Sequence, residues 1–355
     1  MNPNKRPELP TLRLVAWETT RNCNLSCIHC RASATHGPYS GELDTQAAFN
    51  LLDEVASVGN PIIILTGGEP LLRNDIFDIA AYGTSKNLRM VMAVNGTLVT
   101  PQIVSRMLES GIRRISVSID GGTEESHDSF RGVKGAFAGA LEGLRNAKKA
   151  GLEFQINTTI TKSNLRQIPA ILKLAESIGA VAHHIFLLVP TGRGKYLIGQ
   201  EIDAQEYEQT LNWFYDQRDK TSLQLKATCA PHYYRILRQR AKAEGRQVTF
   251  ESHGLDAVTR GCLAGTGFCF VSHVGIVQPC GFLDLSCGDV TKQSFGDIWR
   301  SSEVFRTLRQ TSQLGGKCGF CEYRRVCSGC RARAYEATGD FMAAEPLCLH
   351  QPTCG

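Results

Sequence analysis

The sequence predicts an α/β fold in which a parallel sheet, formed by about the first 190 residues, precedes a small cysteine-rich domain. Six apolar strand patterns alternate with amphipathic helix patterns over that stretch. From about Gly261 the chain becomes rich in glycine and cysteine, and bound metal can replace a large apolar core in such a segment. We therefore expect a core domain over residues 1–200, a helical connection over 201–260 and a metal-binding domain over 261–355.

The strand and helix patterns follow each other regularly along the core domain. The predicted strands are Leu12–Glu18, Ile62–Thr66, Leu88–Val94, Arg114–Ile119, Phe154–Ile160 and Ala182–Val189. The amphipathic stretches between them are Asp44–Val58, Asp75–Ser85, Pro101–Ser110, Ala136–Ala150 and Leu165–Ile178. A glycine that can end a helix follows four of these stretches, at Gly59, Gly111, Gly151 and Gly179.

Composition limits the classes of protein to which the chain can belong. Its 355 residues are 42% hydrophobic and 21% charged, which is typical of a globular protein. The net charge of +5 is small and dispersed, so nucleic acid is not an expected partner. No apolar run is long enough to span a membrane or to form a signal peptide, so we expect a cytoplasmic protein. In a reducing compartment its fourteen cysteines are better interpreted as metal ligands than as disulfides.

Three cysteines form the most specific motif in the chain. Cys23, Cys27 and Cys30 make a C-x3-C-x2-C loop directly after the first predicted strand. Thiolates are the usual ligands of iron–sulfur clusters, and three of them leave the fourth iron of a 4Fe–4S cube open to a small molecule. A zinc site would need a fourth ligand, and the nearby candidate, His29, lies inside the loop itself. We therefore favour an open cluster over zinc.

A second motif follows the second predicted strand, where Gly67, Gly68, Glu69 and Pro70 stand in sequence. Glycines let the backbone come close to a ligand, and a carboxylate can pair with an ammonium group. Polar residues also follow the next two strands, at Asn95 and at Ser118 and Asp120. All these positions fall at the carboxyl ends of predicted parallel strands, where ligands usually bind.

Together these motifs resemble those of the radical S-adenosylmethionine (SAM) superfamily. The resemblance implies a partial (βα)6 barrel of the TIM type and a SAM-binding 4Fe–4S cluster on the three-cysteine loop. It assigns the contacts with SAM to Gly67, Gly68, Glu69, Pro70, Asn95, Ser118 and Asp120. Reduction of SAM bound there would give methionine and a 5′-deoxyadenosyl radical, in an enzyme whose oxygen-labile clusters suit an anaerobic setting.

The C-terminal cysteines resemble the SPASM, or twitch-like, extension of that superfamily, which carries auxiliary 4Fe–4S clusters. By that resemblance Cys318, Cys321, Cys327 and Cys348 hold one auxiliary cluster. A second would take Cys262, Cys269, Cys280 and Cys330. Cys327 and Cys330 are separated by two residues where the usual pattern has three, so one or two auxiliary clusters remain possible. Spacing alone also leaves a zinc knuckle open for the first set, and free thiols are expected at Cys229, Cys287 and Cys354.

Longer stretches are similar to the tetrapyrrole-modifying radical SAM group. They are Leu12–Glu18, Thr228–Arg235, Gly261–Cys269 and Cys330–Asp340. The stretches are most similar to the group's decarboxylase of iron-coproporphyrin III. That resemblance implies hydrogen abstraction from the β-carbon of a propionate, followed by loss of CO2 and one electron to leave a vinyl group. Two such reactions would give heme b, and an auxiliary cluster would be a suitable electron acceptor.

Cations should hold the four propionates of such a substrate, because arginine pairs well with carboxylates. The candidates are Arg21, Arg31, Arg193, Lys195 and Arg235. Arg193 and Lys195 lie just past the sixth predicted strand, and His232 shares a predicted helix face with Arg235. His232 could then be an axial ligand of the porphyrin iron, although a lone histidine is more often simply packed.

Three other functions remain open from the sequence. A sibling tetrapyrrole reaction, namely didecarboxysiroheme deacetylation or modification of a heme d1 precursor, is hardly distinguished by these residues. A peptide-modifying SPASM maturase often has an N-terminal extension, for which the early Cys23 leaves little room. A non-catalytic electron carrier would gain nothing from an open iron. The expected partners are the iron-porphyrin substrate and an electron donor such as a flavodoxin or ferredoxin, acting on a monomer.

Overall fold

The computed structural model describes residues 10–197 and 199–352 of the chain. Ten strands of this part form a single sheet. In chain order they are β1 (Leu14–Thr20), β2 (Ile62–Gly67), β3 (Arg89–Val94), β4 (Arg114–Ser118), β5 (Glu153–Ile160), β6 (Ala182–Leu187), β7 (Gln224–Thr228), β8 (Phe268–Val271), β9 (Ile276–Gln278) and β10 (Gly288–Asp289).

Helices connect most of the strands. The helices of the sheet region are α1 (Thr45–Val58), α2 (Ile76–Ser85), α3 (Pro101–Glu109), α4 (Glu124–Arg131), α5 (Ala136–Lys149) and α6 (Ile168–Ile178). They are followed by α7 (Ala204–Asp216), α8 (His232–Ala243), α9 (Phe250–His253) and α10 (Leu255–Val258). The C-terminal helices are α11 (Phe295–Ser301), α12 (Glu303–Arg309), α13 (Gly316–Phe320) and α14 (Arg331–Thr338). No helix in the described residues is long and apolar enough to cross a membrane.

The strands pair in the order β10-β9-β8-β1-β2-β3-β4-β5-β6-β7. Every neighbouring pair from β8 through β1 to β7 is parallel, and the two pairs of the β8–β9–β10 meander are antiparallel. The predicted α/β class with a parallel sheet is therefore confirmed. The six predicted strands also agree with β1 to β6 to within two residues at each end.

Two parallel strands were not predicted. β7 lies inside the segment expected to be a helical connection, and it extends the sheet beside β6. β8 comes from the cysteine-rich segment and pairs with β1. Both strands are short, and the sequence of β7, Gln-Leu-Lys-Ala-Thr, is too polar to give an apolar strand pattern. The sheet thus runs through all three predicted segments, and the proposed division near residues 200 and 261 stays a prediction.

The alternation of side chains along β1 separates the helix-covered core from the opposite face of the sheet. Val15 and Trp17 belong to the main apolar core, which contains residues of helices α1 to α3, α5 to α8, α11 and α12. Glu18, one position further, points to the other face, because successive strand residues alternate. Its carboxylate is nevertheless fully buried. The polar residues of the site therefore lie opposite the helical layer, at the carboxyl ends of the strands.

Close packing of helix α5 against the turn after β3 fixes that turn. A β-carbon on Gly143 would lie 2.3 Å from the carbonyl oxygen of Gly96. Gly96 has a φ of +90°, a left-handed conformation that favours glycine. Its neighbour Asn95 donates a backbone hydrogen bond to the Glu69 carboxylate, so this packing reaches the candidate site.

Replacement of Gly143 with alanine should therefore destabilise the protein by about 1–3 kcal/mol, because the added methyl group meets backbone. Alanine normally stabilises a helix relative to glycine by about 1 kcal/mol, so the expected sign is reversed. The measurement is chemical denaturation of the G143A variant. Gly139→Ala is the matched control in the same helix, where the nearest atom to the added methyl group is in the side chain of Thr97, at 3.2 Å, so the substitution should cost less. An equal or higher stability of G143A would contradict the packing described.

Candidate functional site

Each thiol of the three-cysteine loop has one N–H donor within reach. The backbone N–H of Leu25 donates to Cys23 Sγ at 3.4 Å, and that of Ala34 donates to Cys30 Sγ at 3.4 Å. Donors of this kind stabilise thiolates that bind iron, which makes the loop a good fit for an iron–sulfur cluster. Burial raises the pKa of Cys23 to about 12, so ligation has to remove its proton.

The third thiol, Cys27, has a charged donor. The Arg131 Nη1 lies 3.6 Å from Cys27 Sγ, and the same guanidinium forms a buried ion pair with Asp120. Burial raises the pKa of the Cys27 thiol, and the positive charge of Arg131 opposes that rise. Arg131 is the last residue of α4. The sequence does not predict this helix, so it does not predict that Arg131 lies beside the cysteine loop. The HDSFR pattern of α4 offered a charge but no apolar periodicity.

Asp120 has partners within the protein. Its carboxylate is buried, bonded to Arg131 and accepting the backbone N–H of Thr159 at 2.6 Å. A carboxylate bonded in this way orients the arginine beside the cysteine loop, and its predicted contact with SAM stays a prediction. Ser118, the last residue of β4, is half-buried, and its predicted contact with SAM stays a prediction.

Glu69 lies completely buried between the ends of β2 and β3. Its carboxylate accepts the backbone N–H groups of Asn95 at 2.8 Å and Leu71 at 3.2 Å. Burial raises its pKa to about 7, and the two hydrogen bonds oppose that rise. A buried carboxylate held by neutral donors is suited to an ammonium group, whose charge would stabilise the ionised form.

Gly67 and Gly68 bring this segment against the start of the cysteine loop. β-carbons there would lie 2.2 Å from the carbonyl oxygen of Thr20 and 2.3 Å from that of Asn22. The backbone N–H of Glu69 in turn donates to Asn22 O at 2.8 Å. Contact with the protein backbone alone therefore requires glycine at both positions, whichever ligand binds there. Pro70 is buried and begins a short 3₁₀ turn.

Asparagine side chains connect the loop to the end of β3. The side chain of Asn95 donates to Asn24 Oδ1 at 2.8 Å, and that of Asn24 donates to Thr97 Oγ1 at 2.9 Å. Asn24 lies between Cys23 and Cys27 in the sequence. The structure therefore brings the three thiols, Glu69 and Asn95 together at one sheet edge.

The buried Glu18 carboxylate binds the two arginines that flank the loop. Arg21 Nε lies 3.0 Å and Arg31 Nη2 lies 2.6 Å from its oxygens. His273, in the turn between β8 and β9, places Nδ1 2.9 Å from the same carboxylate. Burial alone would raise the pKa of Glu18, but the contact with His273 and the two arginine charges lower it to about 2. Arg31 also stacks over the ring of Phe270, 4.3 Å from its centroid.

Arg193 binds the cysteine loop. Its guanidinium donates to the carbonyl oxygens of Cys27 at 2.8 Å and Ala34 at 2.7 Å. These bonds to the protein use the guanidinium that was expected to hold a propionate. Lys195, in contrast, is largely exposed and lies 3.3 Å from Glu336, so its predicted contact with substrate stays a prediction.

A second group of cysteines comes together in the C-terminal segment. A partly open cavity is lined by all four cysteines of the first predicted auxiliary set, Cys318, Cys321, Cys327 and Cys348. Backbone N–H groups of Glu345, Tyr323 and Gly329 donate to three of these sulfurs, at 3.4–3.5 Å. The residues present thus fit an iron–sulfur cluster, although the ligand assignment itself stays a prediction.

His232 and Arg235 line this same cavity. His232 is completely buried, and burial lowers its pKa to about 4. A porphyrin cannot approach an imidazole in that position, so the expected axial ligand is not found there. Arg235 is also buried and makes a bidentate pair with Glu208, at 2.5 and 2.9 Å. Both residues therefore belong to the surroundings of the cysteine cavity instead of to a porphyrin site.

The predicted second auxiliary set requires one correction. Cys269 pairs in register with Val15 on β1, and both side chains belong to the main apolar core on the helix side. On that side of the sheet, the thiol of Cys287 and the charge of Arg309 are close enough to affect the Cys269 thiol. Cys262, Cys280 and Cys330 lie in other clusters of the structure, together with Cys229. Strand alternation, which the sequence prediction had not applied to β8, separates Cys269 from them.

The comparisons with known proteins agree with this geometry. Residues 17–175 match the family model of the radical SAM superfamily, and residues 262–331 match an iron–sulfur cluster-binding domain, SPASM. A protein of Nitratidesulfovibrio vulgaris named AdoMet-dependent heme synthase is 59% identical over 97% of this chain and 94% of its own. This chain belongs to the radical SAM superfamily. It is a radical SAM enzyme that uses SAM and 4Fe–4S clusters, and its C-terminal part is a SPASM domain.

Other relatives of this radical SAM enzyme carry related names. An AdoMet-dependent heme synthase of Methanosarcina barkeri is 54% identical over 96% of this chain and 97% of its own. Among solved structures, Streptococcus suis SuiB bound to S-adenosylmethionine has a TM-score of 0.75 at 14% identity, over 96% of this chain and 78% of that chain. The enzyme anSMEcpe with bound AdoMet and a peptide has a TM-score of 0.65 at 19% identity, over 91% and 90%. These two likenesses support the fold.

The contact of Arg131 with Cys27 predicts an effect on the cluster of the three-cysteine loop. Arg131→Gln removes a positive charge beside a ligand, so the cluster should become harder to reduce and SAM cleavage should slow by about 10–100-fold. The measurement is a potentiometric titration of that cluster, followed by electron paramagnetic resonance, with SAM cleavage assayed in parallel.

Two further variants serve as controls for Arg131. Arg131→Lys keeps the charge and should retain most of the potential. The double variant D120N/R131Q leaves no unpaired buried carboxylate, so it separates a folding defect from the loss of the thiol contact. An unchanged midpoint potential in a folded R131Q protein would show that the contact with Cys27 does not tune the cluster.

Proposed function

We propose that this radical SAM enzyme converts two propionates of iron-coproporphyrin III to vinyl groups, with loss of two CO2, and so forms heme b. The observation that carries the proposal is the 59% identity, over nearly the whole chain, with a protein named AdoMet-dependent heme synthase. The name states the product class, and oxidative decarboxylation of propionates is the chemistry that a SAM-derived radical and an electron acceptor can supply. When bound, the cluster and SAM supply the radical that removes a hydrogen atom from the substrate.

The residues of the chain would position SAM and the propionates around that radical. Glu69 would accept the ammonium group of SAM in its buried place next to the cysteine loop. Arg21 and Arg31 face the same edge and share the Glu18 carboxylate, while the Glu42 carboxylate accepts the backbone N–H of Arg21. We propose that these two arginines, with Lys195, attract and hold propionates. Arg193 and Arg235 also have protein partners, and their predicted contacts with propionates stay predictions.

A cluster held by the C-terminal thiols would be the acceptor for the electron that the decarboxylation releases. The substrate radical loses CO2 and must give up one electron, and a cluster in the cavity lined by Cys318, Cys321, Cys327 and Cys348 would be a suitable acceptor. Glu345 connects this cavity to Cys330. Its backbone N–H donates to Cys318 Sγ, and its carboxylate accepts the backbone N–H of Cys330 at 2.6 Å. We place the reaction in a reducing, anaerobic cytoplasm, with a flavodoxin or ferredoxin as the first electron donor to a monomer.

A sibling tetrapyrrole reaction is the second candidate. A Fe-coproporphyrin III synthase of Methanosarcina barkeri is 33% identical, and a pre-heme d1 synthase of Dinoroseobacter shibae is 30% identical, each over 94% of this chain. Their lower identity favours the heme synthase reaction. A mycofactocin maturase at 28% identity makes a peptide substrate a weaker candidate still.

Anaerobic turnover of the reconstituted protein tests the proposal directly. The protein is incubated with SAM, a strong reductant and iron-coproporphyrin III, and the products are followed by mass spectrometry. We expect loss of two CO2 per porphyrin and two 5′-deoxyadenosines formed with them. Cys30→Ala, which removes one ligand of the loop, is the control and should give neither product. Formation of 5′-deoxyadenosine with an unchanged porphyrin would contradict the substrate, and didecarboxysiroheme would be the next one tested.

A further inference from the structure

A row of polar side chains crosses the face of the sheet opposite the helices. It consists of one residue from each of the strands β4 to β7, paired in register: Ser118, Asn157, His184 and Lys226. Side chains paired in this way point to the same face of a sheet. The ring of His183, next to His184 in β6, lies 6.4 Å from that of Phe214 in α7. Since successive residues alternate, His184 and its row point away from the helices.

The row lies close to the carboxyl ends of the strands, where the cofactors and the substrate are expected. Ser118 is the last residue of β4, and Lys226 stands two residues before the end of β7. Two strand residues span about 7 Å, so a side arm of a molecule bound at this edge can reach Lys226. Arg114 Nη1 of β4 lies 3.5 Å from Gln224 Oε1 of β7, three strands away, so the sheet curves around this face.

Lys226 brings a positive charge to the row without a direct partner. Its side chain is partly buried, and within the described residues its ammonium group makes no hydrogen bond or ion pair. Burial lowers the pKa of Lys226, and the charge of Asp256 opposes that shift from a distance. The Asp256 carboxylate pairs instead with Arg218, at 2.8 Å. Because charges taken out of water are normally paired, a negative group of a ligand is the expected partner of Lys226.

The neighbours of Lys226 in the row add hydrogen-bond donors. Gln155 Nε2 donates to His184 Nδ1 at 2.9 Å and to Asn157 Oδ1 at 3.0 Å. Burial, together with the charge of Lys226, lowers the pKa of His184 to about 3, so its ring is neutral. The ring proton is then on Nε2, and the amide hydrogens of Asn157 face the same row. Neither donor has a partner in the part of the chain that the structure describes. One ammonium group and two N–H donors suit a carboxylate.

We propose that Lys226, with Asn157 and His184, binds one carboxylate of the substrate on this inner face of the sheet. The inference rests on the proposed function, under which the carboxylate is a propionate of the porphyrin. Arg21 and Arg31 follow β1, at the other end of the run of strands from β1 to β7. The two groups of cations would therefore hold different propionates, and Lys226 would make the site selective for a porphyrin that carries a carboxylate at that position.

Anaerobic titration of the reconstituted full chain tests this site. The ligands are iron-coproporphyrin III and its tetramethyl ester, which keeps the ring and removes the four charges, and binding is followed by the porphyrin absorbance. In Lys226→Met the affinity for the tetracarboxylate should fall about 10–100-fold, because a charge-assisted hydrogen bond is lost. The affinity for the ester should stay unchanged. Lys173→Met, on the exposed side of α6, is the matched control and should leave both affinities unchanged.

Three outcomes would overturn the proposal. The first is an affinity of Lys226→Met for iron-coproporphyrin III equal to that of the wild type. The second is an equal loss of affinity for the tetracarboxylate and the ester, which would indicate a structural defect. The third is a Lys226→Met variant that does not fold. An ammonium group that has no ion pair in the described residues should be removable at little cost, so chemical denaturation should give a stability close to that of the wild type.

A failure of the proposed function would give a different result. A wild type that binds didecarboxysiroheme and not iron-coproporphyrin III would contradict the proposed substrate. The same comparison of Lys226→Met with the wild type, made with didecarboxysiroheme and its methyl ester, would then decide the role of Lys226.

Discussion

The buried carboxylate of Glu18 is the interaction on which the arrangement of the site depends. It lies at the carboxyl end of β1, on the face opposite the helices, where an unpaired charge would be strongly destabilising. Arg21 and Arg31 flank the cysteine loop, and His273 belongs to the hairpin that begins the SPASM part. One carboxylate therefore joins the first strand, the cysteine loop and the C-terminal hairpin, and breaking such a buried pair typically costs about 3–5 kcal/mol.

Two more carboxylates follow the same principle at neighbouring strand ends. Glu69, after β2, accepts the backbone of the turn after β3, and Asp120, after β4, bonds the arginine that contacts Cys27. Each is buried and each has partners that orient part of the loop. The parallel sheet makes this possible, because its strands deliver their carboxyl ends to one edge. The chain thus concentrates its buried charge where the cofactors bind and keeps the helical side apolar.

Much of the fold and part of the candidate site could be predicted from the sequence. Local sequence patterns were enough to predict the apolar strands β1 to β6 and the three-cysteine loop. They also grouped the four C-terminal cysteines that line one cavity. β7 was missed because its five residues are half polar and its pairing with β6 is a tertiary effect. Cys269 was grouped wrongly because spacing does not reveal which face of β8 it occupies. The roles of Arg193 and Arg131 depend on contacts across more than a hundred residues, which no local pattern indicates.

The central claim is that an iron of the three-cysteine cluster binds SAM beside Glu69. The most direct test is electron–nuclear double resonance of the reduced enzyme with SAM labelled with ¹⁵N at its amino group. We predict a nitrogen coupling that appears on adding SAM, and a weaker or absent one at the same SAM concentration in Glu69→Gln. Glu124→Gln, on the exposed start of α4, is the control and should retain the coupling. A spectrum unchanged by SAM would contradict an open iron, and an unchanged coupling in the Glu69 variant would remove Glu69 from the site.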